Sequence, residues 1–219
     1  MIKLVLFDLD GTLIDDEIFT ITSKVIEGKK LGYNITEEVS KNTLGLSYSN
    51  SKKYLCSLYG DDFPYDYFRQ KRFEYIVDDI KQNGIKFKKG VNEILSYLKE
   101  HKIKMGICTS SSMKYINEYK KYTDIFEAFD FIITGEQIKN GKPNPEIFLK
   151  GVEISGVKVE ETLVIEDSNN GVLAGINAKC DVIMIPDLVE PNNEVKKTKV
   201  KIFKSLLDVI EYIQINMES

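Results

Sequence analysis

Short uninterrupted apolar runs alternate along this chain with longer stretches in which apolar residues recur every three or four positions. The runs fall at residues 2–7, 104–108, 131–134, 163–165 and 182–185. A run apolar at every position suits a strand buried on both faces, as in a parallel sheet. Between the runs, residues 86–102 place Val91, Ile94, Leu95 and Leu98 on one helical face, and residues 113–122, 145–152 and 171–178 supply further crossovers. Residues 203–215 read as a closing helix, and the polar stretch 189–199 as a loop. This alternation predicts the α/β class: a doubly wound, Rossmann-like parallel sheet.

Residues 15–85 break the pattern. They hold no strand-like run, whereas Ile18, Ile21 and Val25 repeat at helical spacing, and Pro64 opens a helix carrying Phe68, Phe73 and Ile76. The expected organisation is a core of residues 1–14 and 86–219 with a helical insertion at 15–85. Most tyrosines of the insertion are expected to pack a small helical module while their hydroxyls reach water.

A length of 219 residues suits one domain with a large insertion. The apolar share of 42% against 29% charged residues is a globular balance, so a packed core is expected. A net charge of −4 offers no broad positive field for nucleic acid or an acidic membrane, which favours a small-molecule partner. The lysine-rich stretches 86–89 and 196–204 read as solvated faces. Cys56, Cys108 and Cys180 form no paired motif and suit free thiols in a reducing compartment. The apolar residues 1–7 are too few for a secretory signal or a membrane span, so a cytoplasmic monomer without a membrane partner is expected. The single histidine, His101, sits at a helix-to-strand turn and reads as a surface residue.

Polar groups of distinctive type follow four of the expected strands: Asp8-Leu9-Asp10-Gly11-Thr12, Thr109-Ser110-Ser111, Gly141-Lys142-Pro143 and Glu166-Asp167-Ser168. Ligands of open α/β sheets bind beyond the carboxyl ends of the strands, so these groups converge. Carboxylates gathered with a lysine suit a divalent cation and a phosphate. Each motif has a plainer reading. Asp-x-Asp-Gly is also a turn, although not a calcium loop, since Gly11 comes too early and a strand precedes it. Hydroxyls before Met113 also suit a helix cap, which is compatible with anion binding there. Glu166 and Asp167 also suit the start of a helix.

In order and strand context, these residues resemble the four motifs of the haloacid dehalogenase superfamily. Residues 141–148 and 166–171 are similar to the branch containing β-phosphoglucomutase and related sugar-phosphate phosphatases. The resemblance implies a phosphatase acting on a small phosphorylated metabolite, with Asp8 as nucleophile and an aspartyl-phosphate intermediate. It implies Mg²⁺ held by Asp8, the backbone carbonyl of Asp10 and Asp167, with Glu166 as a further ligand or a support. Thr109, Ser110 and Lys142 would gather the phosphate oxygens, and Asp10 would act as acid and then base. The insertion would be a mobile cap hinged near residues 14–17 and 84–90.

A phosphomutase would share these core motifs. Residues 44–49 are similar to the mutase's cap loop, but Tyr48 stands where that enzyme carries an arginine and Thr20 where it carries a histidine. The cap is therefore expected to lack the cationic anchor that a mutase needs, unless Lys71 or Arg72 supplies it. A dehalogenase would need neither Asp10 nor a metal, and a non-catalytic relative would be expected to have lost a core residue.

Overall fold

A computed structural model describes residues 1–217. Six parallel strands, β1 (Leu4–Phe7), β2 (Lys104–Thr109), β3 (Phe131–Thr134), β4 (Thr162–Glu166), β5 (Asp181–Met184) and β6 (Lys201–Ile202), form one sheet in the order β3-β2-β1-β4-β5-β6. The chain works outward from β1 to β3, then crosses back to β4 on the other side of β1. That reversal opens a crevice at the carboxyl ends of β1 and β4, where a doubly wound sheet binds ligands.

Strand alternation divides the core into two layers. Val5, Phe7, Met105, Ile107 and Ile165 face α5 (Val91–Glu100), α6 (Met113–Tyr119) and α10 (Leu206–Met217). Leu4, Leu6, Cys108, Val164 and Met184 face α7 (Glu146–Ser155), α8 (Asn169–Asn177) and α9 (Asn193–Lys196). The first four sites of β1 are fully buried, as an uninterrupted apolar run requires. The described residues contain no helix long and apolar enough to cross a membrane.

Between β1 and α5 lie four helices: α1 (Glu17–Lys30), α2 (Glu37–Lys41), α3 (Tyr48–Tyr59) and α4 (Tyr65–Asn83). Thr36 and Ser47 cap α2 and α3 by accepting from backbone amides. These helices bury their own cluster of Ile35, Leu55, Phe63, Tyr65 and Phe68, against which Tyr33, Tyr54 and Tyr59 pack. The two connections to the sheet run side by side: the Asp15 amide donates to the Lys86 carbonyl at 2.9 Å, and the Lys88 amide to Leu13 at 3.0 Å.

Several expectations need correction. The helix expected over residues 86–102 begins only at Val91, because residues 86–88 pair with the outgoing connection and Gly90 (φ 92°) takes a left-handed turn. The first strand starts at Leu4 and not at residue 2, and the loop expected at 189–199 contains α9. Strand β6 escapes notice because it is two residues long and exposed at the sheet edge. Lys88, read as solvated, is largely buried and pairs with Asp187 at 2.7 Å and Asp15 at 3.3 Å. Ile18, read as part of an apolar face, is 62% exposed, because α1 instead buries Glu17, Ile21, Lys24 and Gly28. His101 is exposed and stacks on Tyr97, as a surface residue would.

Candidate active site

Asp8 leaves the end of β1 and Asp167 the end of β4, so adjacent strands set their carboxylates together. Gly11 makes this approach possible. It turns with φ 86°, and a side-chain carbon there would stand 2.5 Å from the Asp167 carboxylate. Thr12 donates to Asp167 at 3.1 Å and fixes one of its oxygens.

Lys142 is the hub. Only 2% exposed, it donates to Asp8 Oδ1, to Glu166 Oε1 at 2.5 Å and to the Cys108 carbonyl at 3.0 Å, which uses all three ammonium protons. Burial works against its charge, but Asp8 and Glu166 outweigh burial and hold its pKa above the usual lysine value. Glu166 is fully buried, and its second oxygen accepts from the amides of Asp167 and Ser168 and from the Ser168 hydroxyl, at 3.0–3.1 Å. Gly171 leaves room for it: a side-chain carbon there would lie 1.8 Å from Glu166. With its oxygens so engaged, Glu166 acts here as a strut between Lys142 and the loop after β4.

Oxygen atoms of Asp8, Glu166 and Asp167 lie within 4.8 Å of one another. Burial, with Glu166 and Asp8 adding repulsion, drives Asp167 well above the usual carboxylate range. Burial likewise pushes Asp8 up to about 8 against the pull of Lys142. Crowded hard oxygens of this kind are relieved by a divalent cation. With Glu166 engaged, Asp8 and Asp167 plus a backbone carbonyl leave positions open, which suits Mg²⁺, an ion that keeps several waters and a substrate oxygen.

The Asp10 carboxylate points elsewhere. Its Oδ2 accepts from Ser111 Oγ at 2.6 Å and from Thr109 Oγ1 at 3.2 Å. Burial raises its pKa, with Ser111 and Thr109 opposing. A carboxyl with a raised pKa, held in place by two hydroxyls, is suited to giving and retaking a proton. The hydroxyls after β2 therefore orient Asp10 and do not cap α6. Ser112, at the cap position, makes no capping bond, and Glu136 accepts from the Met113 amide at 3.0 Å instead. Ser110 lines the same cavity beside Asp8 and Asp10.

Helices α1, α3 and α4 and the loop before α3 enclose the other side of that cavity, which measures about 140 Å³. Two glycines set how closely this roof sits. A side-chain carbon on Gly45 would meet Ser168 Oγ at 2.8 Å, and one on Gly141 would meet Ser47 Cβ at 2.4 Å. Of the two cations anticipated in the roof, Lys71 is absent from the lining and pairs with Glu74 at 2.8 Å on the exposed side of α4. Arg72 does line the cavity, joined by Lys24 and Arg69, which sequence reasoning missed, as it missed the grip of Ser111 on Asp10. Tyr48 is 41% exposed and hydrogen-bonds Asp66.

The sequence profile of the haloacid dehalogenase-like hydrolases matches residues 5–185. A phosphorylated carbohydrates phosphatase from Thermotoga maritima is 30% identical over 174 residues, covering 80% of each chain. Hexitol phosphatase A from Escherichia coli is 28% identical over 180 residues, covering 82% of this chain and 81% of its own. Among solved structures, a β-phosphoglucomutase from Clostridium difficile superposes with a TM-score of 0.81 at 26% identity, over 98% of this chain and 96% of that one.

Proposed function

The chain belongs to the haloacid dehalogenase-like hydrolases, and on that premise we propose that it is a Mg²⁺-dependent phosphatase acting on a small phosphorylated metabolite, of the sugar-phosphate kind, through an aspartyl-phosphate on Asp8. The observation that carries this reading is the Lys142 hub, which holds the Asp8 carboxylate against Glu166 while the Asp167 carboxylate stands free of it. Residues 1–14 and 86–219 are the catalytic core, and residues 15–85 are a cap over it.

Asp8 attacks phosphorus, an Asp8 oxygen–phosphorus bond forms, and the bond to the departing alkoxide breaks as Asp10 gives that oxygen a proton. Water then attacks the phosphoryl group, Asp10 takes the water's proton, and Asp8 is released. Lys142 and the groups after β2, Thr109 and Ser110, gather phosphoryl oxygens and offset the repulsion between two anions. When bound by Asp8, the Asp10 carbonyl and Asp167, Mg²⁺ supplies positive charge to the transferring group and lowers the cost of ionised Asp8.

The test is a steady-state screen of phosphorylated metabolites with Mg²⁺, repeated after chelation, following inorganic phosphate and any isomerised sugar phosphate together. Phosphate release that stops on chelation and returns with Mg²⁺ is expected. Isomerisation of a β-hexose 1-phosphate without phosphate release would make the protein a mutase. In the same assay Asp167→Ala is expected to raise the Mg²⁺ requirement at least about tenfold, since it removes one of two carboxylate ligands. An unchanged Mg²⁺ titration would take Asp167 out of the metal site.

Cap closure gives a separate prediction. Gly141→Ala adds a carbon 2.4 Å from Ser47 Cβ, which holds the roof away from the core without touching Asp8. The expected result is a fall in kcat/KM of about tenfold to a hundredfold, the scale of a misplacement near 1 Å. A variant with wild-type kcat/KM would show that the Gly141 approach plays no part in closure.

A further inference from the structure

Away from its two connections, the cap is hydrogen-bonded to the core at one place. Among the described residues, a single hydrogen bond joins residues 18–83 to the core beyond the connections: Lys114 on α6 donates through Nζ to Gln70 Oε1 on α4 at 2.7 Å. Ring contacts converge on the same spot. The Lys114 ammonium stands 4.2 Å from the centre of the Phe73 ring, and Phe73 meets Tyr115 edge to face, with ring centres 4.8 Å apart and planes at 80°. The loop before α3 differs. It comes close to Ser168 and Gly141, yet its Ser47 and Tyr48 side chains bond within the cap, to Ser49 and the Asn50 amide and to Asp66.

The geometry of α4 gives this spot leverage. Toward the second connection, Ile76 and Ile80 are buried in the apolar layer that also holds Val91 and Ile94 of α5, so that end of the helix is anchored. Phe73 lies eleven residues before Gly84, which is about 16 Å along a helix rising about 1.5 Å per residue. Gln70 stands one turn further out on the same face. Gln70 and Lys114 are exposed, and Phe73 and Tyr115 are half-buried. An edge-to-face pair and a cation over a ring in such a setting each shift an equilibrium about twofold to tenfold, enough to hold a lid and too little to lock it. Tyr115 also lines the cavity, and it follows by one turn Ser111, whose hydroxyl holds Asp10. The contact therefore rests on the wall that supports the acid/base residue.

We propose that Gln70 and Phe73 on the cap and Lys114 and Tyr115 on the core form a clasp that sets the balance between a closed and an open cap. The inference rests on the reading of residues 15–85 as a cap over the catalytic core, and it is independent of which phosphomonoester is hydrolysed. Release of the clasp frees the outer end of α4, and with it the roof of the cavity, for entry and exit.

The test reads the position of the cap directly. Spin labels are attached to Leu58→Cys on α3 and Leu149→Cys on α7, both exposed sites, in a Cys56→Ser background; Cys108 and Cys180 are buried. Pulsed dipolar distance measurement on the full chain with Mg²⁺ and no substrate is expected to give mainly the separation that the structure sets between the two sites. Phe73→Ala removes both ring contacts and should raise the ratio of longer to shorter separations about tenfold or more, and Lys114→Ala about threefold. Phe73→Tyr keeps a ring under Lys114 and should stay near the unsubstituted protein. Thermal unfolding checks each variant, and Lys114→Ala, an exposed helical site, decides the matter if Phe73→Ala does not fold. A long separation dominating in the unsubstituted protein, distances unmoved by both alanines, or Phe73→Tyr as open as Phe73→Ala would overturn the proposal. Turnover does not enter the measurement, so a protein that hydrolyses no phosphomonoester would remove the phosphatase reading and leave this result standing.

Discussion

Asp8→Asn is expected to reduce phosphate release by about four to six orders of magnitude, the scale on which loss of a covalent nucleophile acts, while the protein stays folded. Asparagine keeps the shape of the side chain and an oxygen able to accept from Lys142, whose remaining bonds to Glu166 and Cys108 do not depend on residue 8. What disappears is the negative charge. An amide oxygen is a poor nucleophile toward phosphorus and a weaker ligand for a hard cation, so the attack and the metal site fail together. The measurement is single-turnover phosphate release with saturating Mg²⁺, alongside a thermal melt. Turnover near that of the wild type would place the nucleophile elsewhere, and a collapsed melt would mean that the loss reports folding. Raising Mg²⁺ should not rescue this variant, in contrast to Asp167→Ala, because in the proposed mechanism only Asp8 would be both ligand and nucleophile.

How far the sequence reveals these parts depends on how local their causes are. The parallel strands are legible because burial on both faces demands an unbroken apolar run, and the residues after β1, β2 and β4 announce themselves by type. Gly11 and Gly171 stand where the chain must pass close to Asp167 and Glu166, so their positions also carry meaning along the sequence. The roof is less legible. Hydrophobic spacing pointed to Ile18, Ile21 and Val25 as the inner face of α1, yet the buried row is Glu17, Ile21, Lys24 and Gly28, because Glu17 and Lys24 line the polar cavity and Gly28 packs closely against Ile35. Arg69 and Arg72 lie one turn apart and line the cavity together, while Lys71 between them faces away, a distinction that needs the packing of α4. The bond from Ser111 to Asp10 joins residues about a hundred positions apart. Tyr48 brings no positive charge, and of the two cations expected as substitutes Arg72 lines the cavity, joined by Lys24 and Arg69, so the charge comes from α1 and α4 and not from the loop before α3. A mutase needs a cationic anchor, which is why phosphate and isomerised sugar must be followed in one assay.

Lys142→Met is expected to lower kcat/KM by more than about a hundredfold at neutral pH, corresponding to about 3 kcal/mol for a lost contact to charge that develops in the transition state. Methionine fills most of the lysine's volume beside Phe148, so the packing around residue 142 is retained. The substitution nevertheless leaves Asp8 and Glu166 buried together without their cation. Breaking a buried pair of this kind costs about 3–5 kcal/mol when the remaining charge stays ionised. The carboxyls can avoid that cost by holding protons, and burial already favours that outcome for Asp8, whose pKa lies at about 8 even with Lys142 in place. Removing the ammonium takes away the pull of Lys142 toward lower values, so the Asp8 pKa rises further and less of Asp8 is ionised at pH 7. The alkaline direction should therefore recover part of the activity: the rising limb of the kcat/KM profile moves to higher pH in Lys142→Met, measured at saturating Mg²⁺ in both proteins. A loss of tenfold or less, with the limb unmoved, would make Lys142 an ordinary loop lysine. A large loss with the limb unmoved would mean that its ammonium serves the transition state alone and has no hold on Asp8 beforehand.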